Sequence, residues 1–173
     1  MDKEIVERAK QGDMNAFALI FNEDYIKELY VVAKLKLNND DDAKDAIQET
    51  VLETFRNLNK IKFVNKLKPW ILKVLMNKCN NIFRHNHRFE TIEGKDSTDL
   101  EIEDEFTNIN NKVDLFDMLG SLEIDDRHMV FLYYRGYTSK EISSIMKVNE
   151  NTVRTRIKRA FERIKRKYNR GDI

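Results

Sequence analysis

Near the C-terminus, Arg154, Thr155, Lys158 and Arg159 stand at i, i+1, i+4 and i+5, so on a helix they project from one outward face. Guanidinium and ammonium groups donate to guanine edges or to phosphates, and a threonine can contact a base or a thymine methyl. Asn151 and Thr152 add polar groups at the start of the same segment. The chemistry on offer is recognition of a nucleic-acid duplex, in which no covalent bond is made or broken.

The string TSKEISSIMKVNENTVRTRIKR must position these groups. Thr138 with Glu141 three residues later forms a capping box, which fixes the start of a helix running to about Met146. A short turn, Lys147 to Glu150, leads into a final helix from Asn151 to about Tyr168. Ile142, Ile145, Val148, Val153 and Ile157 supply a small shared core beneath two crossing helices, with small Ser143 where they approach. This is the spacing of a helix-turn-helix, whose second helix can enter a major groove. A basic coiled coil or a peptide-binding helix is the competing reading, and the capped first helix with its short turn favours DNA.

A second group lies in NKLKPWILKVLMNKCNNIFRHNHR. Lys66, Lys68, Lys73, Lys78, Arg84 and Arg88 can follow a phosphate backbone, while Asn77 and Asn80 can meet bases drawn out of a stack. Trp70, beside Ile71 and Val74, reads as core rather than as a stacking platform. Pro69 suits the first turn of a helix running to about His87, which Trp70, Val74 and Phe83 would help to bury. Before it, Asp45, Gln48, Glu49 and Glu53 share one face of a helix expected from Asp42 to Leu58. That face presents acceptors which arginine-rich helices can bind, or it is simply solvated. Ile47, Val51, Leu52 and Phe55 form the opposite, apolar stripe.

Upstream, Ile5, Val6 and Ala9 predict a short helix ending at Gly12. Asp13 then caps a longer helix to about Leu37, with Phe17, Ile20, Phe21, Tyr25, Leu29 and Val32 as its buried stripe. Helices at about 111–119 and 123–135, closed by Gly120 and Gly136, precede the helix-turn-helix. Only one proline and five glycines occur in 173 residues, which excludes a β-rich fold with its many turns. The fold class is all-α.

The formal net charge of +1 conceals segregation. Residues 60–88 hold eight Lys/Arg and no Asp/Glu, residues 90–120 hold ten Asp/Glu and two Lys, and residues 147–170 hold ten Lys/Arg and two Glu. Two basic blocks flanking an acidic one point to polyanion binding. Periodicity is lost over 90–110, so the chain divides into a helical domain at 1–89, a flexible acidic linker at 90–110, and a helix-turn-helix domain at 111–173. The single cysteine, Cys79, excludes an intramolecular disulfide. With no apolar run near membrane-spanning length, the expected location is a reducing cytoplasm.

Taken together these strings resemble a bacterial RNA polymerase sigma factor of the extracytoplasmic-function type, within the sigma-70 family. QGDMNAFALIFNEDYIKELY and DAKDAIQETVLETF are similar to that family's second region, and LEIDDRHMVFLYYRGYTSKEISSIM with NTVRTRIKRAFERIK to its fourth. The resemblance implies that the acidic face at Asp45, Gln48, Glu49 and Glu53 docks on the polymerase clamp. It further implies that the basic helix, with the loop at about Asn59 to Lys68, captures melted bases of the minus-ten element. The helix-turn-helix would grip the minus-thirty-five element as duplex, through Asn151, Thr152, Arg154, Thr155, Lys158 and Arg159. Implied partners are polymerase core, promoter DNA and, by analogy, an anti-sigma factor; no cofactor or metal is implied. Asn81 stands where many members carry Asp, Val51 where an aromatic is common, and Lys147 and Asn151 where glycine is frequent.

Catalysis has little support. His85 and His87 lie at i and i+2, so they diverge on a helix, and no carboxylate or cysteine set completes a ligand group. The other rival is an ordinary repressor or activator that uses its helix-turn-helix without polymerase, and binding to polymerase core separates the two.

Overall fold

The computed structural model describes residues 2–86 and 119–168, and every regular element among them is helical. The chain divides into two compact units, Met1–Gly94 and Lys95–Ile173. The acidic stretch at 90–110 and nearly all of the helix expected at 111–119 lie outside the described residues.

In the first unit α1 (Lys3–Lys10) and α2 (Met14–Ile20) pack together, while α3 (Glu23–Leu37), α4 (Asp40–Asn57) and α5 (Leu67–Asn86) pack mutually as a three-helix group. Gly12 closes α1 at φ +93°, with the N–H of Asp13 bonded to the Arg8 carbonyl and its own N–H to that of Ala9, which makes a Schellman motif. The single helix expected from Asp13 to Leu37 is in fact two. Asn22 breaks it, because its side chain accepts from the Tyr25 N–H at 3.0 Å and caps a new helix. The expected buried stripe holds across the break at Phe17, Ile20, Tyr25, Leu29 and Val32.

The packing face of α4 differs from the apolar stripe read in its sequence. Ala43, Ala46, Ile47, Thr50 and Thr54 are buried, whereas Leu52 and Phe55 are about half exposed. Small side chains let α3 and α5 approach closely. The Thr50 and Thr54 hydroxyls donate to the carbonyls of Ala46 (2.7 Å) and Thr50 (2.8 Å), so neither is left unsatisfied. From α5 the core takes Leu67, Ile71, Leu72, Leu75, Met76 and Cys79, while Trp70, Val74 and Phe83 sit at its margin. Burial pushes the Cys79 thiol up to about 12, so this residue packs and does not ionise.

Lys34 is buried at 6% exposure and needs a counter-charge. Asp40, the first residue of α4, supplies it: Oδ1 accepts from Lys34 Nζ at 2.6 Å and also from the Tyr30 hydroxyl. These two donors hold the Asp40 carboxyl below its ordinary range.

In the second unit α6 (Ile124–Tyr134) and α7 (Ser139–Met146) both pack on α8 (Glu150–Tyr168). Gly136, at φ +89°, ends α6 in another Schellman motif, with Tyr137 N–H on the Leu132 carbonyl. Gly120 does not play the matching part, since it is itself helical and the turn begins at Ser121.

Because the folded pKa of Asp40 is depressed, its stabilisation is present above the ordinary aspartate value and lost as pH falls through the folded one. Asp40→Asn is expected to destabilise the first unit by about 1.5–3 kcal/mol near neutral pH, the scale of a charged hydrogen bond left unmade. Urea unfolding should show the wild-type and variant curves converging as the pH falls below the ordinary aspartate range.

Candidate nucleic-acid interface

The helix-turn-helix is closed at each corner by its own side chains. Thr138 Oγ1 accepts from the Glu141 N–H at 3.2 Å and Glu141 Oε2 accepts from the Thr138 N–H at 3.1 Å, which is the expected capping box. α7 ends at Lys147, whose left-handed φ of +57° lets the Val148 N–H reach back to the Ser143 carbonyl. A non-glycine residue there costs on the order of 1 kcal/mol. Asn151 is not left-handed: it is the second residue of α8, and its N–H donates to Asn149 Oδ1 at 2.9 Å. The true cap of the final helix is therefore Asn149, and the helix starts one residue earlier than its sequence suggests.

On α8 the row Val153, Ile157 and Ala160 is buried, as are Ile142, Ile145 and Met129 on the two helices packed against it. The opposite side carries Asn151, Thr152, Arg154, Thr155, Lys158 and Arg159, all exposed. Arg154 pairs with Glu150 at 2.5 Å, and the Thr155 hydroxyl donates to the Asn151 carbonyl at 2.9 Å. Arg156 belongs to neither row. Its guanidinium lies 2.5 Å from Asp126, 3.7 Å from Glu123 and 3.9 Å from Asp125, so it ties α8 to the start of α6.

In the first unit Lys73, Asn77, Asn80 and Arg84 form a stripe at spacings of four, three and four, opposite the buried row of α5. The first three are half-buried and Arg84 is exposed. Arg84 bends onto its own helix, with Nη2 on Asn81 Oδ1 at 2.6 Å and Nε on the Asn80 carbonyl at 3.2 Å. Lys66 is exposed in the short turn Val64–Lys66 ahead of α5. Other cations of this block serve the fold: Lys78 pairs with Glu49 at 3.0 Å, and the Lys68 ammonium lies over the Tyr25 ring at 4.6 Å.

Sequence reasoning passed over Phe63. It is 68% exposed in extended backbone between α4 and α5, beside Lys62 and Lys66, where an unstacked base can lie on its ring. An aromatic in a loop is ordinarily assigned to the core, and only the tertiary structure shows it standing out.

Asp45, Gln48 and Glu49 are exposed on α4, and Glu53 is half-buried, accepting from Asn57 Nδ2 at 2.8 Å. Exposed Leu52 sits among them. Apolar contact ringed by carboxylates is the make-up of a protein-docking face. Among the described residues no group of three or more His, Cys, Asp or Glu is arranged to hold a metal, and no helix is long and apolar enough to cross a membrane.

Sigma-70 region 2 matches residues 22–89 and sigma-70 region 4 matches residues 112–164, so the two families meet the two units in order. The chain belongs to the sigma-70 family, in its extracytoplasmic-function branch. It is 24% identical over 166 residues to the ECF sigma factor SigM of Mycobacterium tuberculosis, covering 95% of this chain and 83% of that protein. It is 25% identical over 180 residues to the ECF sigma-E factor of Haemophilus influenzae, covering 96% and 94%. Among solved structures, CnrH in complex with the cytosolic domain of CnrY superposes with TM-score 0.64 at 16% identity, over 99% of both chains. RpoE of Bartonella quintana, solved with the anti-sigma factor NepR, gives TM-score 0.63 at 19% identity, over 80% of this chain and 88% of that one. The chain is thus an alternative sigma factor, which directs promoter recognition and transcription initiation by RNA polymerase and is not itself an enzyme.

If Arg156 sets how α8 sits on α6, Arg156→Ala should destabilise the second unit by about 1–3 kcal/mol, and Arg156→Lys should restore only part, since an ammonium cannot fork between carboxylates. Thermal unfolding followed by circular dichroism checks the order wild type, Lys, Ala.

Proposed function

We propose that the sigma factor works through three separate faces. Residues 1–89 form a region-2 domain whose α4 face, Asp45, Gln48, Glu49 and Glu53 around Leu52, docks on the polymerase clamp. The α5 stripe of Lys73, Asn77, Asn80 and Arg84, with Lys66, holds the melted strand of the minus-ten element. Residues 111–173 form a region-4 domain whose α8 row, Asn151, Thr152, Arg154, Thr155, Lys158 and Arg159, grips the minus-thirty-five element, and residues 90–110 link the two. The work belongs to the cytoplasm, where polymerase and promoters are.

The observation that carries this reading is the sorting of charge by face. Acidic groups with an exposed leucine occupy the outer side of α4, while cations with amides line α5 and α8 opposite their buried rows. A repressor acting without polymerase has no use for the α4 face. An anti-sigma partner is supported by analogy with CnrH and RpoE, each solved with a partner protein, and exposed Leu52 and Phe55 are what such a partner would cover.

Reversing charge with Asp45→Lys and Glu49→Lys together is expected to weaken binding to purified polymerase core by more than about tenfold, since like charges would then meet across the interface. Binding of duplex DNA by the full chain should be unchanged. Loss of both would mean unfolding, and unchanged core affinity would remove the clamp assignment. Arg154→Ala should weaken binding to upstream-element duplex by about 1–3 kcal/mol, read by fluorescence anisotropy through a salt series.

A further inference from the structure

We propose that Glu150 is a specificity-determining residue which divides the outward row of α8 into a base-reading half and a phosphate-holding half. The inference rests on the reading of that row as the duplex-binding face. In the second turn of α8 the two chemically informative side chains are already held. Arg154 Nη2 lies 2.5 Å from Glu150 Oε1 one turn earlier, and the Thr155 hydroxyl proton is committed to the Asn151 carbonyl at 2.9 Å. One turn on, Lys158 and Arg159 are exposed and make no ion pair among the described residues.

Holding has two consequences. A guanidinium has five N–H donors, so one bond to Glu150 leaves others to donate while narrowing the rotamers Arg154 samples, and less side-chain freedom is lost when it meets a guanine edge. Thr155, with its proton spent, offers a methyl and an acceptor lone pair, which suits a thymine methyl or a base amino group.

The Glu150 carboxylate also works against indiscriminate binding. A phosphate drawn to Arg154 meets that carboxylate at close range and is repelled, whereas the edge of a guanine carries no net charge and is repelled far less. Glu150 is moreover the first residue of α8, where the helix dipole would otherwise invite a phosphate. The carboxylate therefore weakens wrong contacts more than right ones, which is how a site gains discrimination without touching a base. Lys158 and Arg159, lacking such a restraint, bind phosphate wherever it lies.

The test uses the full chain assembled with bacterial polymerase core and a library of DNA duplexes carrying a randomised block, with bound sequences counted. Glu150→Ala should flatten preference at one position, the same one that Arg154→Ala flattens. It should also raise affinity for a fixed random-sequence duplex about threefold to tenfold and steepen the salt slope by about 0.9, the effect of neutralising one further phosphate. Glu150→Gln, which keeps an oxygen for Arg154 without the charge, should retain the preference while showing the same rise in non-specific affinity. Lys158→Ala and Arg159→Ala should weaken all sequences alike and lower the slope by about 0.9 each. An unchanged Glu150→Ala profile overturns the proposal while leaving the reading of α8 intact. So does a uniform loss that tracks a lower melting temperature, which assigns Glu150 a structural role. If the wild type enriches no sequence, the reading of α8 itself fails.

Discussion

The polar outer row of α8 points outward only because its inner row is buried and its flank is tied. Arg156 is the tie, gathered by Glu123, Asp125 and Asp126 at the start of α6. Those carboxylates sit where a helix N-terminus favours negative charge, so the same groups stabilise α6 and anchor α8. One guanidinium in a block otherwise suited to DNA is thereby withdrawn from that use. The neighbouring cations Arg154, Lys158 and Arg159 then stay on the outer side of the helix, which cannot roll on its core.

The first unit meets the same problem by other means. Packed between two neighbours, α4 carries mostly small side chains on its inner side, with Ile47 the one large exception. α4 packs through Ala43, Ala46, Thr50 and Thr54, and the hydroxyls are satisfied within the helix itself. That arrangement leaves Leu52 and Phe55 outside, where Phe55 meets the Phe17 ring edge-on at 5.3 Å and Leu52 stands among the acidic groups. The exposed apolar surface of α4 is the consequence of how the core was closed.

Much of this was legible in the chain. The capping box at Thr138, the glycine stops at Gly12 and Gly136, and the inner row of α8 follow from local chemistry, because each depends on residues within one or two turns. What eluded the sequence depends on tertiary distance. Leu52 and Phe55 read as core because they are apolar, yet close helix approach selects alanine and threonine instead. Asn22 carried a cap signal with Glu23 and Asp24 behind it, but the apolar period ran unbroken across it and masked the stop. Phe63 and the role of Arg156 had no local signature, since the exposure of one and the partners of the other, 30 to 33 residues away, are set by packing. The candidate sites fared similarly: α5 and α8 displayed their polar rows as their periods required, while the pairing of Arg84 with Asn81 and of Lys78 with Glu49 emerged only in three dimensions.

Those internal pairings bear on how a weakly charged protein manages two encounters with DNA. With a net charge of +1 the chain has no overall field to draw it to a polyanion, so attraction is local to each basic row. Pairing some cations with carboxylates lowers that attraction further: Lys78 meets Glu49, Arg154 meets Glu150 and Arg156 meets Asp126. Such a surface binds random DNA poorly by itself, since non-specific affinity scales with the number of phosphates neutralised. Holding both rows on one polymerase adds their contributions through effective concentration rather than through stronger contacts. The division of the chain into two units, each with a modest and partly restrained basic row, therefore suits a factor whose DNA binding should become strong only when it is assembled.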